Sequence, residues 1–259
     1  MKYKALFVDV DGTIVPNYSK GVPSPKVTKA IAKARKKLHV GVVTGRPIAF
    51  LHGIFDHLQL EGPSILLGGA QIVDSVSRKI LWEQAVEKKD IGNIIKIVSH
   101  FAKRIIINDE GEEKNFKKSE YYKNPLGFYV PSLPMKEADA LIAAVSHIPT
   151  ISAIKMISWH DSQIDVGISH ASATKAHGIV KAAELLGIST EEIIGIGDGY
   201  NDFPLLMAAG LKVAMGNAIE DLKAIADYVA PTVDEDGVAD VIEKFILSPS
   251  SLRAKRSNL

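Results

Sequence analysis

The chain of 259 residues contains no cysteine. That excludes disulfides and thiolate metal sites and fits a reducing compartment. Net charge is also nearly absent, since 31 Lys and Arg stand against 30 Asp and Glu, leaving +1. A global electrostatic case for a nucleic-acid partner is therefore missing. No apolar run approaches the ~18 residues of a membrane span. The apolar segment at the start is short and broken by Asp9, unlike the core of a secretory leader. The expectation is a cytoplasmic protein with neither membrane nor nucleic acid as partner. No histidine pair stands at ligand spacing with a carboxylate on one face, and no internal repeat is found. The Walker pattern is absent, which disfavours a P-loop nucleotide hydrolase.

Against this background the run Ala5-Leu6-Phe7-Val8-Asp9-Val10-Asp11-Gly12-Thr13 stands out. A short apolar strand ends in two carboxylates spaced i, i+2, followed by a Gly-Thr turn. Two such charges repel each other and lose hydration unless a positive group sits between them. A hard divalent cation takes oxygen ligands, so the reading puts a Mg²⁺ site here. A calcium loop of the EF-hand type would need glycine and glutamate where Ile14 and Lys20 stand, and a helix rather than a strand before it.

Strands and helices alternate at both ends of the chain. Continuous apolar strands are read at Ala5–Val8, 40–43, 64–67, 193–196, 212–214 and 228–229, as expected where both sheet faces are covered. Helical spacing joins Val27, Ile31, Ala34 and Leu38, then Ile48, Leu51, Ile54, Phe55 and Leu58, and returns over 176–186, 201–209, 218–226 and 238–246. This implies βαβ units and a parallel sheet. The middle breaks the rhythm: helix 90–102, strand 104–108, a charged loop, strand 127–130, helix 136–147, then strands 151–157 and 163–168 joined by a turn at 159–162. The expected fold is α/β, with a three-layer core from 1–82 and 168–247, an inserted α+β domain at 83–167 and a polar, basic, frayed tail at 248–259.

In open parallel sheets, ligands bind beyond the carboxyl ends of the strands. Those positions collect Asp9 and Asp11, then Thr44-Gly45-Arg46, then Thr174-Lys175 at a helix start, then Gly197-Asp198-Gly199-Tyr200-Asn201-Asp202. Acids, a hydroxyl and a lysine at one sheet edge make a phosphoryl-transfer set. Metal and lysine offset phosphate charge, the hydroxyl donates to a phosphate oxygen, and a carboxylate can attack phosphorus. Lys175 in a first helical turn opposes the macrodipole, at roughly 0.3–1 kcal/mol if exposed, and a local rule broken without local gain marks function. Thr44 can also cap the helix through Arg46-Pro47. The two readings are compatible, because helix N-termini bind anions. Arg46 stays open between a substrate contact and a structural salt bridge. The run Gly195-Ile196-Gly197-Asp198-Gly199 looks like a dinucleotide fingerprint, but Tyr200 takes the place of its third glycine and Asp198 would repel a pyrophosphate. His170 and His177 flank Lys175 and are read as solvated or packed. Lys155, Trp159 and His160, at and just before the 159–162 turn, are candidate substrate contacts from the insert.

On these residues the chain resembles the haloacid dehalogenase superfamily, in its Cof-type phosphatase branch with a C2-type cap. Residues 9–13 (DVDGT) are similar to that family's first motif, 42–46 (VVTGR) to the second, Lys175 to the third and 197–202 (GDGYND) to the fourth, in order. The resemblance implies a Rossmann-like parallel-sheet core with an inserted smaller cap. It implies that Asp9 is the nucleophile and forms an aspartyl-phosphate. Asp11 would protonate the leaving oxygen and then take a proton from water, being itself protonated when it donates. Thr44, Gly45 and Lys175 would bind the phosphoryl group. Mg²⁺ would be held by Asp9, the Asp11 backbone carbonyl and Asp198. Asp202 would support the metal through water or by orienting Lys175, with Asn201 in the same loop.

The chain departs from the family pattern in three places. Gly68-Gly69-Ala70 stands where Asn-Gly-Ala is usual, Ala176 where a glycine follows the lysine, and the insert, at roughly 85 residues, is small. These bear on the leaving group, not on the phosphoryl chemistry. The implied activity is Mg²⁺-dependent hydrolysis of a small phosphomonoester, such as a sugar phosphate, a phosphoglycolate-like acid or pyridoxal phosphate, by a monomer or homodimer. A phosphomutase on the same scaffold and a catalytically silent sugar-phosphate-binding regulator are the alternatives. A dehalogenase is disfavoured, because carbon–halogen displacement needs neither Mg²⁺ nor a second acid at Asp11.

Overall fold

A computed structural model describes residues 2–16, 21–117, 120–158 and 163–248. Trp159, His160 and the tail beyond Ser248 lie outside the described residues. In chain order the first part runs β1 (Ala5–Val8), α1 (Pro25–Ala34), β2 (His39–Val42), α2 (His52–Leu58), β3 (Pro63–Leu66), β4 (Gln71–Asp74) and β5 (Ile80–Glu83). Then come α3 (Lys88–Val98), β6 (Ile106–Asp109), β7 (Glu112–Asn115), β8 (Pro125–Leu133), α4 (Met135–Val145), β9 (Ile151–Ile157) and β10 (Ile164–His170). The last part is α5 (Lys175–Leu186), β11 (Ile193–Gly197), α6 (Phe203–Ala208), β12 (Leu211–Ala214), α7 (Glu220–Ala224), β13 (Tyr228–Val229) and α8 (Gly237–Ile242).

The fold is α/β. Every residue of β1 is buried, as an apolar strand covered on both faces must be. It lies in a parallel sheet of order β13-β12-β11-β1-β2. α1 packs on α2 and α8, and α5 packs on α6. The strand order runs outward from β1 in both directions, so right-handed crossovers put these two helical groups on opposite faces. The carboxyl ends of β1 and β11 thus meet side by side at the reversal of strand order, where such sheets bind ligands.

The edge beyond β2 differs from the sequence reading. A Val43–Ile65 bridge and a 2.9 Å bond from Thr44 N to Ile65 O tie β3 to it in parallel. The other side of β3 pairs antiparallel with β4, and β4 with β5. The reading gives no strands over 71–83: β5 is mostly exposed and carries no burial pattern, and β4, though mostly buried, has only Ile72 and Val73 as apolar residues.

The middle segment forms an antiparallel sheet of order β7-β6-β8-β10-β9, with α3 and α4 packed against each other and α4 on β9 and β10. The expected charged loop contains β7, whose Glu-Glu-Lys-Asn has no apolar residue. It is zipped to β6 by the two-residue turn Glu110-Gly111, where φ is 54° and 87°. Two positive φ angles give the hairpin turn that matches strand twist, and charges suit an edge strand. Apolar burial falls into two main clusters. One draws on residues from Tyr3 to Val73 and Ile179 to Ile246, the other on residues from Val86 to Ile168. A small cluster of Ala70, Leu126 and Ala173 lies where the connecting segments pass. Among the described residues no helix is long and apolar enough to cross a membrane.

Candidate active site

At the carboxyl end of β1, the Asp9 amide donates to Ile196 O of β11 at 2.9 Å, which pins the two strand ends together. Lys175, the first residue of α5, reaches into this point and is 2 % exposed. Its Nζ donates to Asp9 Oδ1 and to Asp202 Oδ1, each at 2.6 Å. Asp202 Oδ2 accepts from the amides of Asp198 and Gly199 at 3.0 Å. Asp202 therefore binds the loop after β11 with one oxygen and aims Lys175 with the other. Thr13 donates to Asp198 Oδ1 at 2.9 Å, drawing the turn after β1 onto the same loop.

Charge balance here is lopsided. Asp9, Asp198 and Asp202 are all buried, and ligand oxygens of the three lie within 4.8 Å of one another. One ammonium faces three carboxylates. Burial, with the neighbouring Asp202 and Asp11 charges, overrides the attraction of Lys175 and pushes Asp9 from 3.8 up to about 7. Burial and the charges of Asp202 and Asp9 likewise raise Asp198 well above the carboxylate range. Burial alone would lower Lys175, but Asp202 and Asp9 outweigh it and hold the amine charged above its ordinary value. An oxygen-only donor set with surplus negative charge is what a hard divalent cation such as Mg²⁺ takes. Asp9 and Asp198 each accept from one side chain through one oxygen, whereas Asp202 uses both.

Asp11 is held differently. Arg46 Nε donates to its Oδ2 at 2.9 Å and the terminal nitrogen to its Oδ1 at 2.5 Å. Of the two readings for Arg46, the salt bridge is the one in the structure. It engages both carboxyl oxygens of Asp11. Thr44 is buried and its Oγ1 accepts from the Arg46 amide at 3.1 Å. That leaves its hydroxyl proton to donate elsewhere. It does not cap the following 3₁₀ turn, Ile48–Phe50, whose cap position is Pro47.

The start of α5 is set by the turn after β3. Gly69 has φ 114°, and a Cβ there would lie 2.1 Å from Thr174 O and 2.9 Å from Lys175 N. Only glycine lets the turn come this close. His177 and His170 have local duties, the first against Thr174 Oγ1 at 2.8 Å and the second accepting from Ser172 N at 3.1 Å.

A cavity of about 570 Å³ opens between these strand ends and the β6–β10 sheet. Asp11, Gly45, Arg46, Lys175 and Asn201 line it from the core. Across it stand Ile154 and Met156 of β9; a Cβ on Gly45 would be 3.7 Å from Met156 Sδ. Lys155, between those two in the strand, is engaged elsewhere. Its Nζ pairs with Asp139 at 2.9 Å and lies 5.0 Å above the Tyr200 ring. The candidates Trp159 and His160 cannot be placed against the cavity, being outside the described residues. Sequence reasoning missed Thr13 and Asn217. Asn217 Nδ2 donates to Gly12 O at 2.8 Å and its Oδ1 accepts from Val233 N at 2.9 Å. The rule of strand carboxyl ends, applied after β12, would have found it.

A family model described as haloacid dehalogenase-like hydrolase matches residues 6–131 and 108–242. A phosphoglycolate phosphatase of Methanopyrus kandleri is 27% identical over 241 residues, covering 93% of this chain and 96% of its own. A pyridoxal phosphate phosphatase of Escherichia coli is 24% identical over 286 residues, covering 96% of this chain and 99% of its own. Among solved structures, a subclass IIB sugar phosphatase of the same superfamily has a TM-score of 0.77 at 25% identity, covering 93% of this chain and 98% of its own.

Proposed function

The chain belongs to the haloacid dehalogenase-like hydrolases, and from that premise we propose that it is a Mg²⁺-dependent hydrolase of small phosphomonoesters that forms an aspartyl-phosphate on Asp9. The observation that carries this reading is the buried cluster of Asp9, Asp198 and Asp202 beside one lysine, Lys175, which lines the cavity. Relatives named for phosphoglycolate and pyridoxal phosphate, and a structural neighbour named as a sugar phosphatase, support the phosphomonoester class.

Each residue then has a task. Mg²⁺, held by Asp9, Asp198 and the Asp11 carbonyl, would neutralise charge on the phosphoryl group. Asp9 attacks phosphorus through a carboxylate oxygen, and the bond to the leaving oxygen breaks. Lys175 offsets charge on the phosphoryl oxygens, held in place by Asp202. The Thr44 hydroxyl donates to one of those oxygens. Asp11 supplies the leaving-group proton and then takes one from the water that hydrolyses the intermediate. That task requires the Arg46–Asp11 pair to open when substrate enters, with Arg46 turning to the phosphate. Closing the insert over the cavity would exclude water and strengthen these charge contacts.

The test is phosphate release from p-nitrophenyl phosphate. Activity should depend on Mg²⁺, and Asp9→Asn should lower kcat by at least about a thousandfold with the melting temperature kept. Full activity in Asp9→Asn would remove the nucleophile from this residue.

A further inference from the structure

The wall of the cavity opposite the phosphoryl machinery is built from one face of the β6–β10 sheet. That face carries the apolar Ile106, Ile154 and Met156 beside the polar Glu113, Tyr129, Ser152, Asp165 and Ser169. Asn108 is set apart by its hydrogen bonding. It lies on β6 opposite Gly127 of β8 and Glu113 of β7, one residue on from Ile107, whose side chain enters the insert's own apolar cluster. Strand alternation therefore turns Asn108 to the cavity, which it lines. The residue is 8% exposed, and neither Oδ1 nor Nδ2 has a hydrogen-bond partner among the described residues. A buried carboxamide with both ends unmatched is rare, because each end forfeits its bond to water without replacement.

The charges around it narrow what could satisfy it. Among the described lining residues, the cations are Arg46 and Lys175. Both belong to the core, paired with Asp11 and with Asp9 and Asp202. The described insert residues lining the cavity include no Lys, Arg or His, but do include Glu113 and Asp165. Asp165 is already served by the Tyr129 hydroxyl and by Ser132 N at 2.7 Å. Among the described lining residues of the insert, a second negative charge on the substrate would meet no cation and two acids.

We propose that Asn108 determines specificity by reading an uncharged leaving group that presents a hydrogen-bond donor and an acceptor side by side, as hydroxyl pairs and amide edges do. The proposal rests on the phosphatase reading and deepens it, by setting sugar-like and nucleoside-like monophosphates apart from phosphorylated acids and bisphosphates. A carboxamide matches such an edge through both its atoms, and a ligand that lacks the edge leaves Asn108 buried and unpaired.

The experiment compares kcat/KM across three groups of substrates. Pentose, hexose and nucleoside monophosphates carry uncharged polar leaving groups; phenyl phosphate carries an apolar one; phosphoglycolate and sugar bisphosphates carry anionic ones. The best substrate should come from the first group. In Asn108→Leu, its kcat/KM relative to that of phenyl phosphate should fall about tenfold to a hundredfold. Asn108→Asp keeps the shape, removes the donor and adds charge, so it should lower the same ratio and serves if the leucine variant does not fold. An anionic best substrate, or a ratio that both folded variants leave unchanged, overturns the proposal. Loss of Mg²⁺-dependent turnover on every substrate by the unaltered protein would instead overturn the phosphatase reading itself.

Discussion

Lys175 is one ammonium among three buried carboxylates, and that imbalance has a pH signature. Asp9 is pushed from 3.8 up to about 7, chiefly by burial, and Asp198 is raised by the same cause. Between those two pH values the metal-free fold keeps a proton on Asp9 that the unfolded chain has lost. Stability of the metal-free protein should therefore fall as pH rises from about 4 through about 7. A divalent cation needs the ionised carboxylates, so its binding releases protons over this range. Apparent Mg²⁺ affinity should rise by up to about tenfold per pH unit below pH 7 for each proton released. Titrating the Mg²⁺-induced shift in melting temperature from pH 5 to 8.5 measures this, and a shift independent of pH would contradict it. The residue types at this point are legible in the chain, since Asp9 and Asp198 sit just past strands and Lys175 opens a helix. Their pairing is not. Asp202 could serve water or lysine, and Arg46 substrate or acid, until the side chains are placed.

At the scale of elements, the site depends on how closely α5 approaches the turn after β3. Gly68 and Gly69 both have positive φ, at 66° and 114°, but only Gly69 is crowded. A Cβ on Gly68 meets nothing within 4 Å, while one on Gly69 would strike Thr174 O at 2.1 Å. Gly68→Ala should cost about 1 kcal/mol, the strain of a left-handed backbone. Gly69→Ala should cost about 3 kcal/mol or more and displace Lys175, with a larger loss of kcat. Denaturant unfolding and kinetics on the two variants check this, and equal effects would remove the packing explanation. Apolar runs such as β1 and β11 announce themselves in the sequence. β7 does not, because its pairing comes from a turn and backbone hydrogen bonds, with no apolar side chain to signal it.

For the whole molecule, two separate apolar clusters mean that the insert is packed on itself and meets the core across a cavity. Closure over a bound phosphate should then protect both sides. With Mg²⁺ and orthovanadate, hydrogen exchange should slow at residues 9–13, 44–46 and 198–202, and also along β9 (Ile151–Ile157), where Met156 stands over Gly45. Slowing confined to the core would show that the insert does not close.

The sequence by itself determined the α/β class and which residue types stand past the ends of its apolar strands. Strand and helix periods, and the place of a residue relative to a strand end, are local properties of the chain. The tertiary structure alone decided that Lys175 lies between Asp9 and Asp202, that Arg46 holds Asp11, and that Asn108 faces a cavity with no partner among the described residues. Those are facts about burial and about residues distant in sequence. No local pattern carries them, because desolvation and charge pairing take their sign from what the fold brings alongside.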